Sequence, residues 1–156
     1  MDKETFGALI MKNEQQLYRI AKSILKNDDD CADAAQEAVV KGFANLYTLR
    51  NDRYAMTWLI RILINECYSI RKKNAKNLPL DMGLYGETFD DRRDYSDLYE
   101  ALSHLPDELR IVLVLHYLEG YAIKEIADIL QLPGGTVKSR MSRGRYQLRQ
   151  LLEEVS

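Results

Sequence analysis

Proline and glycine are scarce in this chain, three and eight residues among 156, which leaves room for long uninterrupted helices. Cysteine is scarcer still. Cys31 and Cys67 lie far apart inside helical patterns, which excludes a disulfide framework and a zinc site and fits a reducing cytoplasm. No apolar run approaches the roughly 18–20 residues of a membrane helix; the longest, Ile111 to Leu115, is broken by His116. The opening Met1-Asp2-Lys3-Glu4 lacks the basic stretch and apolar core of a signal peptide. Neither charge sign is in large surplus, the formal net being −2. With 46% apolar and 29% charged residues, the chain has the make-up of one ordinary globular domain or two small ones. The arithmetic predicts a soluble, cytoplasmic, all-α protein.

The even balance conceals blocks. Residues 1–73 carry 12 bases and 10 acids, residues 74–100 carry 3 and 7, and residues 101–156 carry 7 of each. Within the last block, Gly134 to Leu152 holds five bases (Lys138, Arg140, Arg143, Arg145, Arg149) and no acid. A polyanion feels such a local block within about 10 Å at moderate salt, whatever the net charge.

Helical periodicity organises the first half. Phe6, Ile10, Leu17, Ile20 and Ile24 share a face over about 3–26, in one helix or in two split near Asn13. Asn27-Asp28-Asp29-Asp30 supplies turn and cap chemistry. A second helix is predicted over Cys31 to Tyr47, burying Ala35, Ala38, Val39, Gly42, Phe43 and Leu46. After a loop over Leu49 to Arg53, a third runs from about Tyr54 to Lys73 with Leu59, Ile62, Leu63, Cys67 and Ile70 inward. Periodicity then lapses, so residues 1–73 read as one domain, 74–94 as an acidic linker and 95–156 as a second domain. Short helices follow: Asp97 to His104, Asp107 to Leu118 opened by Pro106, Ala122 to Leu130, and about Gly135 to Glu153.

Ile123 to Arg145 has the grammar of a helix-turn-helix. Ile126, Ile129 and Leu130 point inward from the first helix, and Val137 and Met141 from the second. Pro133 and two glycines are expected to reverse the chain, with Thr136 capping the second helix. Lys138, Ser139, Ser142 and Arg143 then face a major groove, with Arg140, Arg145 and Arg149 on phosphates. The plainer alternative is a helical hairpin with a solvated basic face. In the first domain, Arg61, Asn65, Tyr68 and Lys72 form one polar stripe. Tyr54, Thr57 and Trp58 stand at its start beside Arg50-Asn51-Asp52-Arg53. Rings beside bases suit unpaired nucleic acid; Trp58 reads equally as a core residue. Asp33, Gln36, Glu37 and Val40 make an acidic patch with an apolar edge, fit for a basic protein partner or merely solvated.

Four motifs, in order, carry a resemblance: Asp33-Ala34-Ala35-Gln36-Glu37, Thr57-Trp58-Leu59-Ile60-Arg61-Ile62, Leu105-Pro106, and Pro133-Gly134-Gly135-Thr136-Val137-Lys138-Ser139-Arg140. Over about residues 5–152 the chain resembles bacterial RNA polymerase sigma factors of the extracytoplasmic-function group. The resemblance implies two helical domains, region 2 and region 4, joined by the acidic linker. Asp33, Gln36, Glu37 and Val40 then dock on the beta-prime clamp of core RNA polymerase, with the beta flap as a further contact. Arg50, Asn51, Arg53, Tyr54, Thr57, Trp58, Arg61, Asn65, Tyr68 and Lys72 melt and read the −10 element, holding the non-template strand. Thr136, Lys138, Ser139, Arg140, Ser142, Arg143 and Arg145 bind the double-stranded −35 element. An anti-sigma factor is the expected regulator, and no cofactor, metal or small-molecule substrate is expected. Ala122 stands where relatives often have serine, and Gln131 where glycine is common.

The rival reading is a stand-alone helix-turn-helix regulator that binds duplex DNA without polymerase. It leaves the first domain idle. A helical adaptor using its acidic face is a second rival. An enzyme is the weakest reading. His104 and His116 lack partners for a triad or metal site, and Gly134-Gly135-Thr136 lacks the strand and spacing of a phosphate loop.

Overall fold

A computed structural model describes residues 1–77 and 96–155. The chain divides into two compact units, Met1–Leu80 and Asp81–Ser156. Helix is the only regular structure among the described residues, and none of those helices is long and apolar enough to cross a membrane.

In the first unit, α1 (Lys3–Lys12) and α2 (Glu14–Leu25) meet at Asn13, whose side-chain amide donates to the Leu9 carbonyl (2.8 Å). Asp2 caps α1, its carboxylate accepting from the Thr5 N–H at 2.7 Å. The third helix, α3 (Asp28–Ala44), starts earlier than the pattern predicts, because Asn27 accepts from the Asp30 N–H (3.0 Å) and three aspartates occupy the first turn. It also stops earlier. Leu46–Thr48 form a separate 3-10 turn, which still buries Leu46. A second 3-10 turn, Asp52–Tyr54, fills the expected loop and leads into α4 (Ala55–Asn77).

Helix α4 packs against both α2 and α3, so its buried arc is wider than a one-sided pattern suggests. Ile60 and Ile64 are buried along with Leu59, Leu63 and Cys67, while Ile62 and Ile70 are only half-buried. It also runs past Lys73. Arg71 donates to the Ile24 carbonyl (3.3 Å) and Asn74 to the Asp30 carboxylate (2.9 Å), tying the last turns to the α2–α3 junction. Residues 74–77 are therefore helical, and the rest of the expected linker lies outside the described residues. At the same junction Lys22, itself buried, meets Asp28 at 2.5 Å and Tyr18 donates to it; these two hydrogen bonds hold the Asp28 carboxyl below its ordinary range. Both cysteines are buried and free, and burial pushes each thiol up to about 12, so neither is a reactive thiolate at neutral pH.

Helix α1 contributes one buried side chain, Phe6, which stands edge-on to Phe43 (5.0 Å) and Trp58 (5.9 Å). Full burial of such a ring stabilises by about 1.5–3 kcal/mol. Gly42 makes room for it: a Cβ there would lie 2.9 Å from the Phe6 ring.

In the second unit, α5 (Ser96–Ser103) and α6 (Asp107–Leu113) are joined through buried Arg110. Its guanidinium donates to the Leu105 carbonyl (2.7 Å), reaches the carbonyls of Leu102 and Ser103 (both 3.4 Å), and pairs with Asp107. A positive charge among the last carbonyls of α5 suits the helix dipole. The expected helix to Leu118 keeps its length but widens over Val114–Leu118 into a π turn, closed by Glu119 N–H on Val114 O (3.0 Å). Gly120, at φ +83°, lets the chain leave toward α7 (Ile123–Leu130) and α8 (Gly134–Val155).

Gly42→Ala is expected to expel the Phe6 ring and lower stability by about 1–3 kcal/mol. Urea unfolding would read this as a lower midpoint, and the paired variant Gly42→Ala with Phe6→Leu should recover part of the loss.

Candidate nucleic-acid and protein interfaces

The turn between α7 and α8 differs in mechanism from the sequence expectation. Neither Gly134 nor Gly135 has a positive φ; both begin α8. Reversal falls to Gln131, left-handed at φ 57°. The Leu132 N–H returns to the Ala127 carbonyl (3.0 Å), the pattern of a helix closed by a left-handed residue. Because α8 starts at Gly134, Thr136 lies within its first turn and is not its cap; its N–H reaches the Pro133 carbonyl at 3.0 Å. Nothing lies within 4 Å of a Cβ at Gly134 or Gly135, so a ligand's backbone can approach this end of α8 closely. At the start of α7, the missing serine is half compensated: the Glu125 carboxylate accepts from the Ala122 N–H (2.9 Å).

Helix α8 has three faces. Val137, Met141 and Gly144 are buried, and a Cβ at Gly144 would meet Leu113 at 3.1 Å, so α6 and α8 lie in close contact. Lys138, Ser139, Ser142 and Arg143 are exposed on the outward side, as the pattern predicts. The third face departs from the pattern. Arg145 donates to the Tyr117 hydroxyl (3.4 Å), and Arg140 approaches Glu108 of α6 at 4.0 Å. Both point along the flanks toward neighbouring elements. Arg145 and Arg149 also line an apolar groove of about 510 Å³, walled by Leu98 and Leu102 of α5, Leu113 and Leu118 of the α6 region, and Leu148 and Leu152 of α8. Sequence reading misses this groove, since its walls come from three separate segments.

On the first unit, Asp33, Gln36, Glu37 and Val40 are all exposed on one side of α3, opposite buried Cys31, Ala34, Ala38 and Gly42. Val40 is 61% exposed and Tyr47, just beyond it, 85%; an aromatic seven residues after Val40 is the signal that would have added Tyr47 to this patch. Lys41 faces Glu66 of α4 at 2.5 Å, which raises the lysine's pKa, Glu37 adding to the attraction.

The α4 stripe is likewise turned from the core: Asn65 and Lys72 are exposed, Arg61 and Tyr68 half-exposed. Thr57 donates its hydroxyl to the Tyr54 carbonyl (3.1 Å), and Asn51 accepts from the Arg53 N–H (3.1 Å), so both side chains shape the approach to α4. Arg50, Arg53 and Tyr54 are exposed there. Trp58 is half-buried, one edge on Phe6, so the core and surface readings both hold in part. His116 is half-buried, its Nδ1 at 2.7 Å from the Tyr121 carbonyl. No cluster of metal-ligating side chains exists among the described residues.

Comparison with known proteins gives the chain's family. Residues 9–77 match the family model of Sigma-70 region 2, and residues 95–148 that of Sigma-70, region 4. RNA polymerase sigma factor SigV of Bacillus subtilis is 31% identical, over 97% of this chain and 96% of its own. The extracytoplasmic-function sigma factor SigW of the same organism is 28% identical, over 99% and 92%. Among solved structures, the sigma factor RpoE of Bartonella quintana, in complex with the anti-sigma factor NepR, superposes with a TM-score of 0.77 at 26% identity, covering 96% of this chain and 98% of that one. CnrH, in complex with the cytosolic domain of CnrY, gives 0.75 at 25% identity, covering 99% and 92%.

Ala122→Ser is expected to complete the cap of α7 and stabilise by about 1 kcal/mol, while Glu125→Ala destabilises. Thermal unfolding of the two variants should show midpoints displaced in opposite directions.

Proposed function

The chain belongs to the extracytoplasmic-function group of the sigma-70 family of RNA polymerase sigma factors, and on that premise we propose how its parts divide the work of initiation. As a sigma factor it is no enzyme: it brings core polymerase to promoter DNA, and the polymerase carries the chemistry. A stand-alone regulator accounts for α7 and α8 only and leaves the region 2 match without a role.

In this reading the α3 face of Asp33, Gln36, Glu37 and Val40 docks on the basic clamp of core polymerase, with Tyr47 extending it. The loop Arg50, Asn51, Arg53 and Tyr54, with Thr57, Trp58, Arg61, Asn65, Tyr68 and Lys72, holds the melted non-template strand of the −10 element. Stacking on such rings contributes about 1–3 kcal/mol per base. Lys138, Ser139, Ser142 and Arg143 read the −35 duplex. Thr136 and the open backbone at Gly134 and Gly135 lie against a phosphate. Arg140 and Arg145 act at the edges, through Glu108 and Tyr117, more than at base edges. The apolar groove suits a partner helix, from the beta flap in the polymerase complex or from an anti-sigma factor outside it. Work on core polymerase places the protein in the cytoplasm.

One observation carries this division. Arg61 and Lys72 on α4, and Lys138 and Arg143 on α8, have no ion pair among the described residues and lie on faces turned from the cores. Folding leaves those cations unspent, and a polyanion is the ligand that releases counterions on meeting them.

Run-off transcription with core bacterial RNA polymerase on a randomised promoter library tests the reading. Transcripts that depend on this protein and share two spaced elements are expected. Arg143→Ala should then cost about 1–3 kcal/mol and relax selection at one upstream position. Glu37→Lys combined with Asp33→Lys should weaken core binding. A protein that shifts duplex DNA yet neither binds core nor supports initiation would return the stand-alone regulator.

A further inference from the structure

The outward face of α8 does not end at Arg143. Ser139, Ser142, Arg143, Tyr146 and Gln150 recur at helical spacing on one exposed side, and Tyr146 is the large apolar side chain in the row, 59% exposed. A tyrosine left this open on a folded helix gains little from its own domain. Its hydroxyl is nevertheless positioned. The Gln150 side-chain amide donates to it at 2.9 Å, one turn further along. That bond uses a lone pair of the phenol oxygen and leaves its proton to donate elsewhere, and no acceptor for it lies among the described residues.

We propose that Tyr146 is a contact of the −35 duplex, its ring held by Gln150 and its hydroxyl donating to a backbone phosphate beyond the bases reached by Lys138 and Arg143. The inference rests on the assignment of α8 to that duplex. Three features of the position suit a phosphate better than a base. Tyr146 lies about 12 Å along the helix from Lys138, at 1.5 Å per residue, toward the edge of a groove about 12 Å wide. A phenol is neutral, so it can hold a phosphate oxygen without adding to the electrostatic, sequence-blind attraction. The aromatic ring is stiff, with two side-chain torsions, so ordering it on DNA costs less than ordering another lysine.

The test uses the full chain assembled with core polymerase and a duplex promoter fragment recovered from the transcription selection above. Tyr146→Phe should weaken binding to that fragment roughly tenfold, the scale of one hydrogen bond to a charged group. The slope of log affinity against log salt should stay unchanged, because the substitution removes no charge. Gln150→Ala should give a smaller loss of the same kind. Affinity for core polymerase, and for a single-stranded −10 oligonucleotide in the same complex, should be unmoved by Tyr146→Phe. Binding by Tyr146→Phe equal to that of the unaltered protein overturns the proposal. So does a loss seen only in Tyr146→Ala, which would make the ring an apolar contact. A complex that fails to bind the fragment even with the unaltered chain overturns the −35 assignment itself, a different failure.

Discussion

Gly144 brings α8 against α6 so closely that even a methyl group would press on the Leu113 side chain and touch the Leu109 carbonyl. That contact fixes the rotation of α8 about its own axis, and everything the second unit offers to a partner follows from the rotation. With Val137, Met141 and Gly144 turned inward, helical periodicity leaves Ser139, Arg143 and Tyr146 outward, and Arg140 and Arg145 on opposite flanks. One flank closes on Glu108; the other joins α5 and the π turn to line the apolar groove. A rotation of a single residue step, about 100°, would swing that outward face round to a flank of the helix. The same logic governs the first unit. Gly42 admits Phe6, Phe6 anchors α1, and α3 is left with its acidic side in solvent.

Much of this is legible in the sequence alone. The split at Asn13, the cap at Asn27, the punctuation at Pro106 and the outward set on α8 are local features, encoded by neighbours in sequence. What the sequence pattern misses depends, apart from the start of α8, on residues far away. Thr136 looks like a cap only if α8 starts after the glycines, yet helix geometry already accommodates Gly134 and Gly135 at negative φ. Arg140 and Arg145 belong to a basic run, and a run reports charge without reporting direction. Their neighbours, Glu108 and Tyr117, are set by how α6 crosses α8. Ile60 and Ile64 were missed because α4 is covered from two sides, which a single-stripe pattern does not express. Helix α4 outlasts its periodicity because Arg71 and Asn74 find partners on the α2–α3 junction.

Charge is handled by segregation more than by quantity. In the proposed division of work, the first unit offers an acidic face to a protein and a cationic stripe to nucleic acid, and the two must not neutralise one another. Helix α3 carries the first and α4 the second, each turned from the common core. Where the two helices meet, Lys41 and Glu66 pair with each other, so one cation and one anion are withdrawn from the partner-facing surfaces. Exposed pairs of this kind contribute little to stability, about 0–1 kcal/mol. Their effect on the sign of each surface is larger than their effect on the fold.

The outward face of α8 is lightly charged for a duplex reader, with Lys138 and Arg143 as its two cations. So few cations on this face give a shallow salt dependence and a modest affinity for a duplex element held by this face alone. A promoter, however, presents two elements to one chain. Once the first unit is engaged, the second searches at the effective concentration that their covalent connection sets, and the joint affinity exceeds either alone by a factor of about 10²–10⁴. Weak contacts at each end are then an advantage: neither unit is held by an isolated half-site, and discrimination comes from the product of the two. On this argument the serines, the neutral tyrosine and the sparse cations of α8 limit what the second unit holds alone, so that stable binding requires both elements together.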